Sequence, residues 1–147
     1  MASLNFNLLR KPDITTNKYT YSDLHLDFLI PIERDIVADY DETAIKNSIV
    51  NLFNTVPGQN LLNPIYGLNL SQFLFEPAND LTGRLIGEKI AKQIGNYEPR
   101  VTVDNINVEV NPDEQLYTIT LSIIMIAINK AVNITGNLTN TGFTLLR

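Results

Sequence analysis

The sequence predicts an α+β fold in which two helices precede a run of long strands. Residues 42–54 and 79–96 place apolar side chains three and four residues apart, which is typical of amphipathic helices. From Val101 onward, apolar and polar residues alternate instead, which is typical of half-buried strands. With 147 residues, of which 44% are hydrophobic, the chain suits one core and leaves little room for two domains.

The amino-terminal region is predicted to be an arm followed by the first strand of the domain. Residues 1–21 are polar, rich in Asn and Thr, and interrupted by Pro12, so we expect an irregular conformation. Residues 23–28 alternate in polarity and predict a half-buried strand that Pro31 ends. The predicted domains are therefore an arm over residues 1–21 and a single α+β domain over residues 22–147.

The first helix is predicted over residues 42–54. Asp41 stands where an N-cap side chain would stabilise the first turn. The apolar face of this helix consists of Ile45, Ile49, Leu52 and Phe53. The turn residues Pro57-Gly58 end the helix and lead into a loop over residues 59–67. Residues 70–75 are expected to form a short helical turn.

The second helix is predicted over residues 79–96, with Asn79 or Asp80 as its cap. Its apolar stripe consists of Leu81, Leu85, Ile86, Ile90 and Ile94. A second stripe, of small residues, consists of Gly83, Gly87, Ala91 and Gly95. Because each interior Gly costs a helix about 1 kcal/mol relative to Ala, this stripe indicates the close approach of another backbone. That backbone belongs either to the protein's own sheet or to a helix of a partner.

Three extended segments follow the second helix. The first covers residues 101–110, and a change of phase at Asp104-Asn105 predicts a β-bulge. A turn over residues 111–114 then leads to the longest predicted strand, which runs over residues 117–130. The third continues over residues 132–138.

The longest strand is predicted to need a partner. Fourteen extended residues span about 45 Å, whereas a domain of this size has a diameter of roughly 40 Å, so the strand bends, breaks or protrudes. Residues 123–128 are all apolar and would aggregate if exposed, so we expect another chain to cover the strand by adding to its edge. The residues assigned to this strand pairing are Tyr117, Ile119, Leu121, Ile123, Ile124, Ile126 and Ile128.

Composition argues against several classes of function. The net charge of −5 disfavours binding to nucleic acid or to an anionic membrane. Cysteine is absent, so disulfides and Cys-based zinc sites are excluded, and we expect no cofactor or metal. No apolar run approaches the roughly 20 residues of a membrane helix, and the amino terminus does not resemble a secretory signal. We therefore expect a soluble intracellular protein.

The charge is unevenly distributed along the chain. Residues 23–42 contain seven acidic residues and one basic residue, whereas residues 115–147 contain no acidic residue and two basic ones. A tail with so little charge is weakly protected against self-association. It is either covered by a partner or built from ordinary core strands.

No catalytic constellation is apparent. His25 is the only histidine and belongs to an alternating strand segment, where a general base is not expected. Glu76 and Glu98 flank the second helix, and about 18 helical residues would separate them by some 27 Å. A glycosidase pair needs roughly 5 to 10 Å, so this pair is excluded if the helix is straight, and an enzyme is disfavoured.

The tripeptide Glu98-Pro99-Arg100 is predicted to form a stiff corner between the second helix and the first long strand. Proline fixes its own φ and restricts the preceding residue, so both charges are held in place. The planar fork of an arginine suits a carboxylate or a backbone carbonyl. The corner is either a contact with a partner or a local clamp between the helix and the strand.

Several motifs follow one another in a specific order. They are the first helix over residues 44–55, Val56-Pro57-Gly58, Asn63-Pro64-Ile65-Tyr66-Gly67, Leu74-Phe75-Glu76-Pro77 and Tyr97-Glu98-Pro99-Arg100-Val101. This series resembles the baseplate wedge and sheath-initiator family of contractile-tailed phages. The family includes lysozyme-like baseplate subunits and has relatives in type VI secretion baseplates. The resemblance covers about residues 23–110 and extends loosely into the β-rich tail.

The resemblance implies a small mixed sheet packed against two main helices, with the long C-terminal β-hairpin as an arm. It implies that Glu98, Pro99 and Arg100 contact the helical core bundle of the wedge, and that the sheet templates the first ring of sheath subunits by strand addition. The implied partners are wedge core-bundle proteins, the tail sheath subunit and the tail tube, without nucleic acid or membrane. Six copies would surround the tail in the virion baseplate, after assembly in the host cytoplasm.

Two alternatives stay open. The lysozyme-like label of the family suggests a peptidoglycan-degrading enzyme, although the sequence offers no clear pair of carboxylates for it. A similar fold in a bacterial stress-response anti-adaptor suggests a regulatory binding module. The sequence also departs from the family after the Pro-Gly turn, where charged residues are common and this chain has Gln59 and Asn60.

Overall fold

The computed structural model describes residues 19–24, 38–139 and 141–146. These residues form helices α1 (Asp41–Asn54) and α2 (Asp80–Tyr97), joined through a 3-10 helix at Leu70–Phe75. A small sheet pairs β1 (Ser22–Leu24) with β2 (Ala38–Tyr40). A larger sheet has the order β3 (Val101–Asn111), β4 (Leu116–Met125), β5 (Lys130–Thr139) and β6 (Gly142–Leu145). The predicted α+β class and its two helices are confirmed.

The family resemblance had implied a mixed sheet, but the larger sheet is antiparallel. Every strand pair among the described residues is antiparallel. The reason is the length of the connections: residues 112–115, 126–129 and 140–141 join consecutive strands, whereas a parallel pair needs a crossover of a dozen residues or more.

Both helices bury the face that their spacing predicts, with one correction. The four predicted apolar residues of α1 are at most 3% exposed, and Ile86, Ile90 and Ile94 of α2 are fully buried. Leu81 and Leu85 were assigned to the same stripe of α2, but they are 67% and 42% exposed. They lie one position before the buried row, so the helix rotates them away from the core.

The predicted strand over residues 117–130 is wrong in its second half. β4 ends at Met125, residues 126–129 form a turn, and Lys130 begins β5. Ile126 and Ile128 therefore lie in the turn, 58% and 39% exposed, and do not pair as strand residues. The turn is closed at Asn129, which adopts a left-handed conformation with φ of 48°.

The remaining residues assigned to partner pairing lie in the centre of the sheet. β4 pairs with β3 on one side and with β5 on the other, so it offers no free edge. Its side chains alternate between the two faces, and Ile124 points away from the core as a half-buried residue. The four residues that face the core are at most 1% exposed: Tyr117, Ile119, Leu121 and Ile123. The protein's own helices and loops cover them.

The stripe of small residues on α2 packs partly on the protein's own sheet. A Cβ atom on Gly83 would lie 3.0 Å from Val110, and one on Gly87 would lie 3.7 Å from Ile106. At Gly95 no described atom outside the neighbouring backbone of α2 lies within 4 Å of such a position. An open groove of about 590 Å³ is lined on one side by Gly83, Gly87 and Ala91 and on the other by residues 103–108 of β3. The predicted bulge is confirmed, since the β3–β4 register shifts between Val103 and Asn105.

Two predictions fall largely outside the described residues. Of the strand expected over residues 23–28, only its beginning is described, as part of β1. Of the arm expected over residues 1–21, only residues 19–21 are described. The Tyr19 ring stacks on the Tyr40 ring with centroids 4.3 Å apart, and the Thr20 and Tyr21 N–H groups donate to Asp41 Oδ1.

Candidate partner-binding site

The Glu98-Pro99-Arg100 corner connects the end of α2 to the start of β3. The Glu98 N–H donates to the Ile94 carbonyl at 2.8 Å and closes the last turn of the helix. The Val101 N–H donates back to the Glu98 carbonyl at 3.3 Å, so the chain reverses within three residues. Pro99 is exposed at the apex. The predicted stiff corner is confirmed as a tight link between helix and strand.

Arg100 and Glu98 form a two-pronged ion pair within this corner. Arg100 Nε donates to Glu98 Oε1 at 2.6 Å, and its terminal nitrogen Nη2 donates to Glu98 Oε2 at 2.7 Å. Ser48 of α1 also donates its hydroxyl to Glu98 Oε2 at 2.6 Å. Glu98 is only 3% exposed, so the two helices and β3 meet at a fully bonded, buried carboxylate.

The other side of the guanidinium holds the amino-terminal segment. Arg100 Nη1 lies 3.0 Å from each carboxylate oxygen of Asp23, and the guanidinium carbon lies 5.7 Å from the centre of the Tyr21 ring. The Tyr21 hydroxyl in turn accepts from the Ala127 N–H at 3.3 Å. The Ile126 N–H donates to the Arg100 carbonyl at 3.0 Å. We call Asp23, Glu98 and Arg100, with Tyr21, the Arg100 cluster.

The pKa values of the Arg100 cluster follow from these contacts. Burial alone would raise the pKa of Glu98, but hydrogen bonds from Arg100 and Ser48 outweigh it and hold that pKa below its ordinary value. The hydrogen bond to Glu98, more than the one to Asp23, raises the pKa of Arg100 despite partial burial. Both groups are therefore charged at neutral pH.

The cluster retains an accessible side. The Arg100 side chain is 23% exposed and that of Asp23 is 37% exposed. Two carboxylates face one guanidinium, which leaves one excess negative charge at the surface. Within residues 19–24, 38–139 and 141–146, no three side chains of the ligating types are grouped so as to hold a metal ion.

The larger sheet offers two free edges among the described strands. β6 covers β5 only from Gly136 to Thr139, so the half of β5 before Gly136 has no described strand on its outer side. A cleft of about 280 Å³ lies beside this half, between α1 and the end of β6. The other edge is β3, which carries exposed Asp104 and Glu109. Charged side chains of this kind discourage strand pairing at an edge.

The sequence identified Glu98, Pro99 and Arg100 but missed the residues that hold them. Asp23 and Ser48 are 77 and 50 positions away from their partners in the chain. The acidic character of residues 23–42 was the only available signal for Asp23. No helix of the described part of the chain is long and apolar enough to cross a membrane.

Comparison with known proteins connects this chain to one family. Residues 39–130 match the family model described as baseplate wedge protein gp25. The baseplate wedge protein gp25 of Enterobacteria phage T4 is 31% identical over 103 residues, which make up 70% of this chain and 76% of that protein.

A solved structure shares the fold. It belongs to a Geobacter sulfurreducens protein provisionally described as a tail lysozyme, with a TM-score of 0.56 and 21% identity over 63% of this chain and 85% of that one. The resemblance noted from the order of motifs is thus confirmed. The chain belongs to the baseplate wedge protein gp25 family.

Proposed function

We propose that this protein is a structural subunit of a contractile-tail baseplate wedge, which attaches to the wedge core bundle and starts the sheath by strand addition. Membership of the baseplate wedge family is the observation that carries the structural role. The partners in this proposal are the core-bundle proteins, the sheath subunit and the tail tube. Six copies would surround the tail of the virion, after assembly in the host cytoplasm.

Attachment to the wedge is assigned to the Arg100 cluster. Glu98 and Ser48 hold the guanidinium in a fixed orientation, so a partner would meet an already ordered group. A group that is ordered before binding loses less conformational entropy when the complex forms. Pro99 projects at the apex of the same corner and supplies an exposed, rigid contact.

Strand addition is assigned to the free half of β5, in place of the central strand β4. The Leu146 N–H donates to the Thr135 carbonyl at 2.8 Å, so the backbone polar groups of Thr135 face the outer edge. Because orientation alternates along a strand, those of Ala131 and Asn133 face the same way. An incoming strand would pair with the backbone groups of Ala131 and Asn133 and would extend the sheet beside α1, beyond the end of β6.

A peptidoglycan-degrading activity is not supported by the carboxylates of the described residues. Glu98 is the more deeply buried of the two glutamates that flank α2, and hydrogen bonds from Arg100 and Ser48 lower its pKa. A glycosidase acid needs a raised pKa, so that it carries a proton near neutral pH. Clearing of a turbid suspension of purified cell walls by the folded protein, at acid or neutral pH, would support a peptidoglycan-degrading activity after all.

Wedge attachment is tested with the double variant Glu98→Gln, Arg100→Met. Replacing a buried ion pair by groups of similar volume is often close to neutral for stability, so this variant should stay folded. Its affinity for the core-bundle proteins of the same particle, measured by calorimetry, should fall at least tenfold relative to wild type. Wild-type affinity in a folded double variant would make the cluster a purely internal clamp.

Strand addition is tested with Ala131→Pro. The Ala131 N–H faces the free edge, so proline should spare the β4–β5 hydrogen bonds while removing a donor that an added strand needs. We expect a folded protein that binds wedge proteins but no longer seeds sheath polymerisation, as followed by electron microscopy. Normal sheath growth from this variant would refute pairing at β5.

A further inference from the structure

The Arg100 cluster is bordered by apolar side chains that are exposed in the described part of the chain. The turn over residues 126–129 is joined to the cluster by the Ile126 N–H and the Ala127 N–H, yet Ile126 is 58% exposed. Ile128 of the same turn is 39% exposed. Two isoleucines therefore stand beside a charged group at the surface.

A second apolar group reaches the cluster from the loop over residues 56–67. Its Tyr66 ring packs edge-to-face on Tyr97, with centroids 5.2 Å apart. Tyr97 directly precedes Glu98, so Tyr66 lies beside the Arg100 cluster. The nearby charge of Glu98 accordingly adds to burial in raising the pKa of Tyr66. Three large aliphatic side chains of this loop are exposed to solvent: Leu61, Leu62 and Ile65, at 93%, 98% and 73%.

This loop is held in shape, so its leucines are presented in a defined way. The Gly58 N–H donates to the Pro64 carbonyl at 2.8 Å, and the Leu68 N–H donates to the Thr55 carbonyl at 3.0 Å. Asn60 Oδ1 accepts from the N–H groups of the two residues that follow Leu61. Residues 47–75 contain no Asp, Glu, Lys or Arg. The loop therefore has no charged side chain whose desolvation would oppose burial at an interface.

We propose that these elements form one docking face for a protein groove with an apolar floor and a basic rim. The aliphatic side chains of the loop and of the 126–129 turn would enter the floor, as central anchors do in protein interfaces. The excess negative charge of the Arg100 cluster, whose Asp23 is 37% exposed, would meet a Lys or Arg at the rim. This inference rests on the proposed wedge attachment and names the chemistry of the surface that receives it.

The test measures binding of purified core-bundle proteins from the same particle by calorimetry, at low and at high salt. The variants are Leu61→Ser with Leu62→Ser, Ile126→Ser with Ile128→Ser, and Asp23→Asn. Each apolar pair should weaken binding at least tenfold with an unchanged salt dependence. Asp23→Asn should weaken binding severalfold and reduce its salt dependence. The matched control is Leu81→Ser, an exposed leucine of α2 that should bind like wild type.

The possible outcomes separate this inference from the function beneath it. Wild-type affinity in both apolar double variants, together with lost binding in Glu98→Gln, Arg100→Met, would overturn the docking face and keep wedge attachment. Loss of binding in Leu81→Ser to the same extent would overturn it too, since any exposed leucine would then matter. If the apolar variants lose only self-association in sedimentation, the occupant is a second copy and the inference is wrong. If the wild-type chain binds no core-bundle protein, both proposals fail.

Discussion

Replacing Arg100 by Ala is expected to destabilise the fold by about 3 kcal/mol at neutral pH. Removing one partner of a buried ion pair costs about 3–5 kcal/mol, because the other charge stays buried without compensation. Here that charge is the carboxylate of Glu98, whose side chain is 4% exposed. Ser48 still donates to it, and the Arg100 side chain is 23% exposed, so water can partly replace the guanidinium. The lower end of the range therefore applies.

The loss should depend on pH in a direction that identifies Glu98 as its source. In the wild type, the pKa of Glu98 is below the ordinary value of 4.5. The ionised carboxylate therefore adds to the free energy of unfolding above pH 4.5, and this stabilisation is lost as the pH falls through the lowered pKa of the folded state. Without Arg100, burial raises the pKa of Glu98, so the carboxylate takes up a proton at a higher pH in the variant than in the wild type. Protonation removes the buried charge that destabilises the variant. The gap in unfolding free energy should be largest at neutral pH and shrink towards about pH 4.

Urea denaturation at neutral pH and at about pH 4 measures this gap directly. Arg84→Ala, which removes an exposed arginine of α2, controls for the general loss of a cation. A loss below about 1 kcal/mol at neutral pH would show that water compensates the buried carboxylate. A loss of equal size at both pH values would show that Arg100 acts through packing, and the electrostatic reasoning would be refuted.

Three further substitutions probe how the core and the sheet are held. Gly67→Ala should cost about 2 kcal/mol or more in thermal unfolding, because φ is 117° and the new Cβ would overlap the Thr55 carbonyl; Gly58→Ala is the control without that overlap. Asn54→Ala should release β6 and speed hydrogen exchange there, since the Asn54 side chain bonds both backbone groups of one β6 residue at 2.9 and 3.1 Å. Asn79→Ala should cost about 1 kcal/mol in urea denaturation by removing the 2.9 Å cap of α2, and an unchanged midpoint would contradict the cap.

Local patterns predicted most of the fold because they record which face each element buries. The apolar spacing of α1 and α2 follows from a core on one side of each helix, and the phase change at Asp104-Asn105 follows from a real bulge. The 3-10 helix at Leu70–Phe75 was also predicted as a helical turn. These features depend on residues that are close together in the sequence, so a single sequence is enough to predict them.

The turn over residues 126–129 was missed because its sequence carries almost none of the usual turn chemistry. Ile126-Ala127-Ile128 contains no Gly, Pro or Asp, and it continues an apolar run that looks like strand. Only Asn129, which tolerates the left-handed conformation, marks the reversal. Tertiary contacts replace the missing local signal, since the Ile126 N–H bonds to the Arg100 carbonyl and the Ala127 N–H bonds to the Tyr21 hydroxyl, both in the Arg100 cluster.

The candidate site was recognised only in part, because its partners come from distant positions in the chain. Glu98 and Arg100 are neighbours and could be read as a stiff charged corner, but Ser48 and Asp23 join them only after α1 and β1 have packed. Neither a serine inside a helix nor one aspartate among seven acids is distinctive. Patterns in one sequence do not report such pairings.

The sequence left Arg100 as either an internal clamp or a contact with a partner, and its geometry makes the two roles compatible. The clamp consumes the Nε side of the guanidinium, at 2.6 Å from Glu98, and leaves the Nη1 side against the more exposed Asp23. A partner that engages this side meets a group already oriented by its own chain, so binding orders fewer side chains. Any ligand that binds only the folded state also stabilises it, so wedge attachment at this corner would raise the stability of the domain.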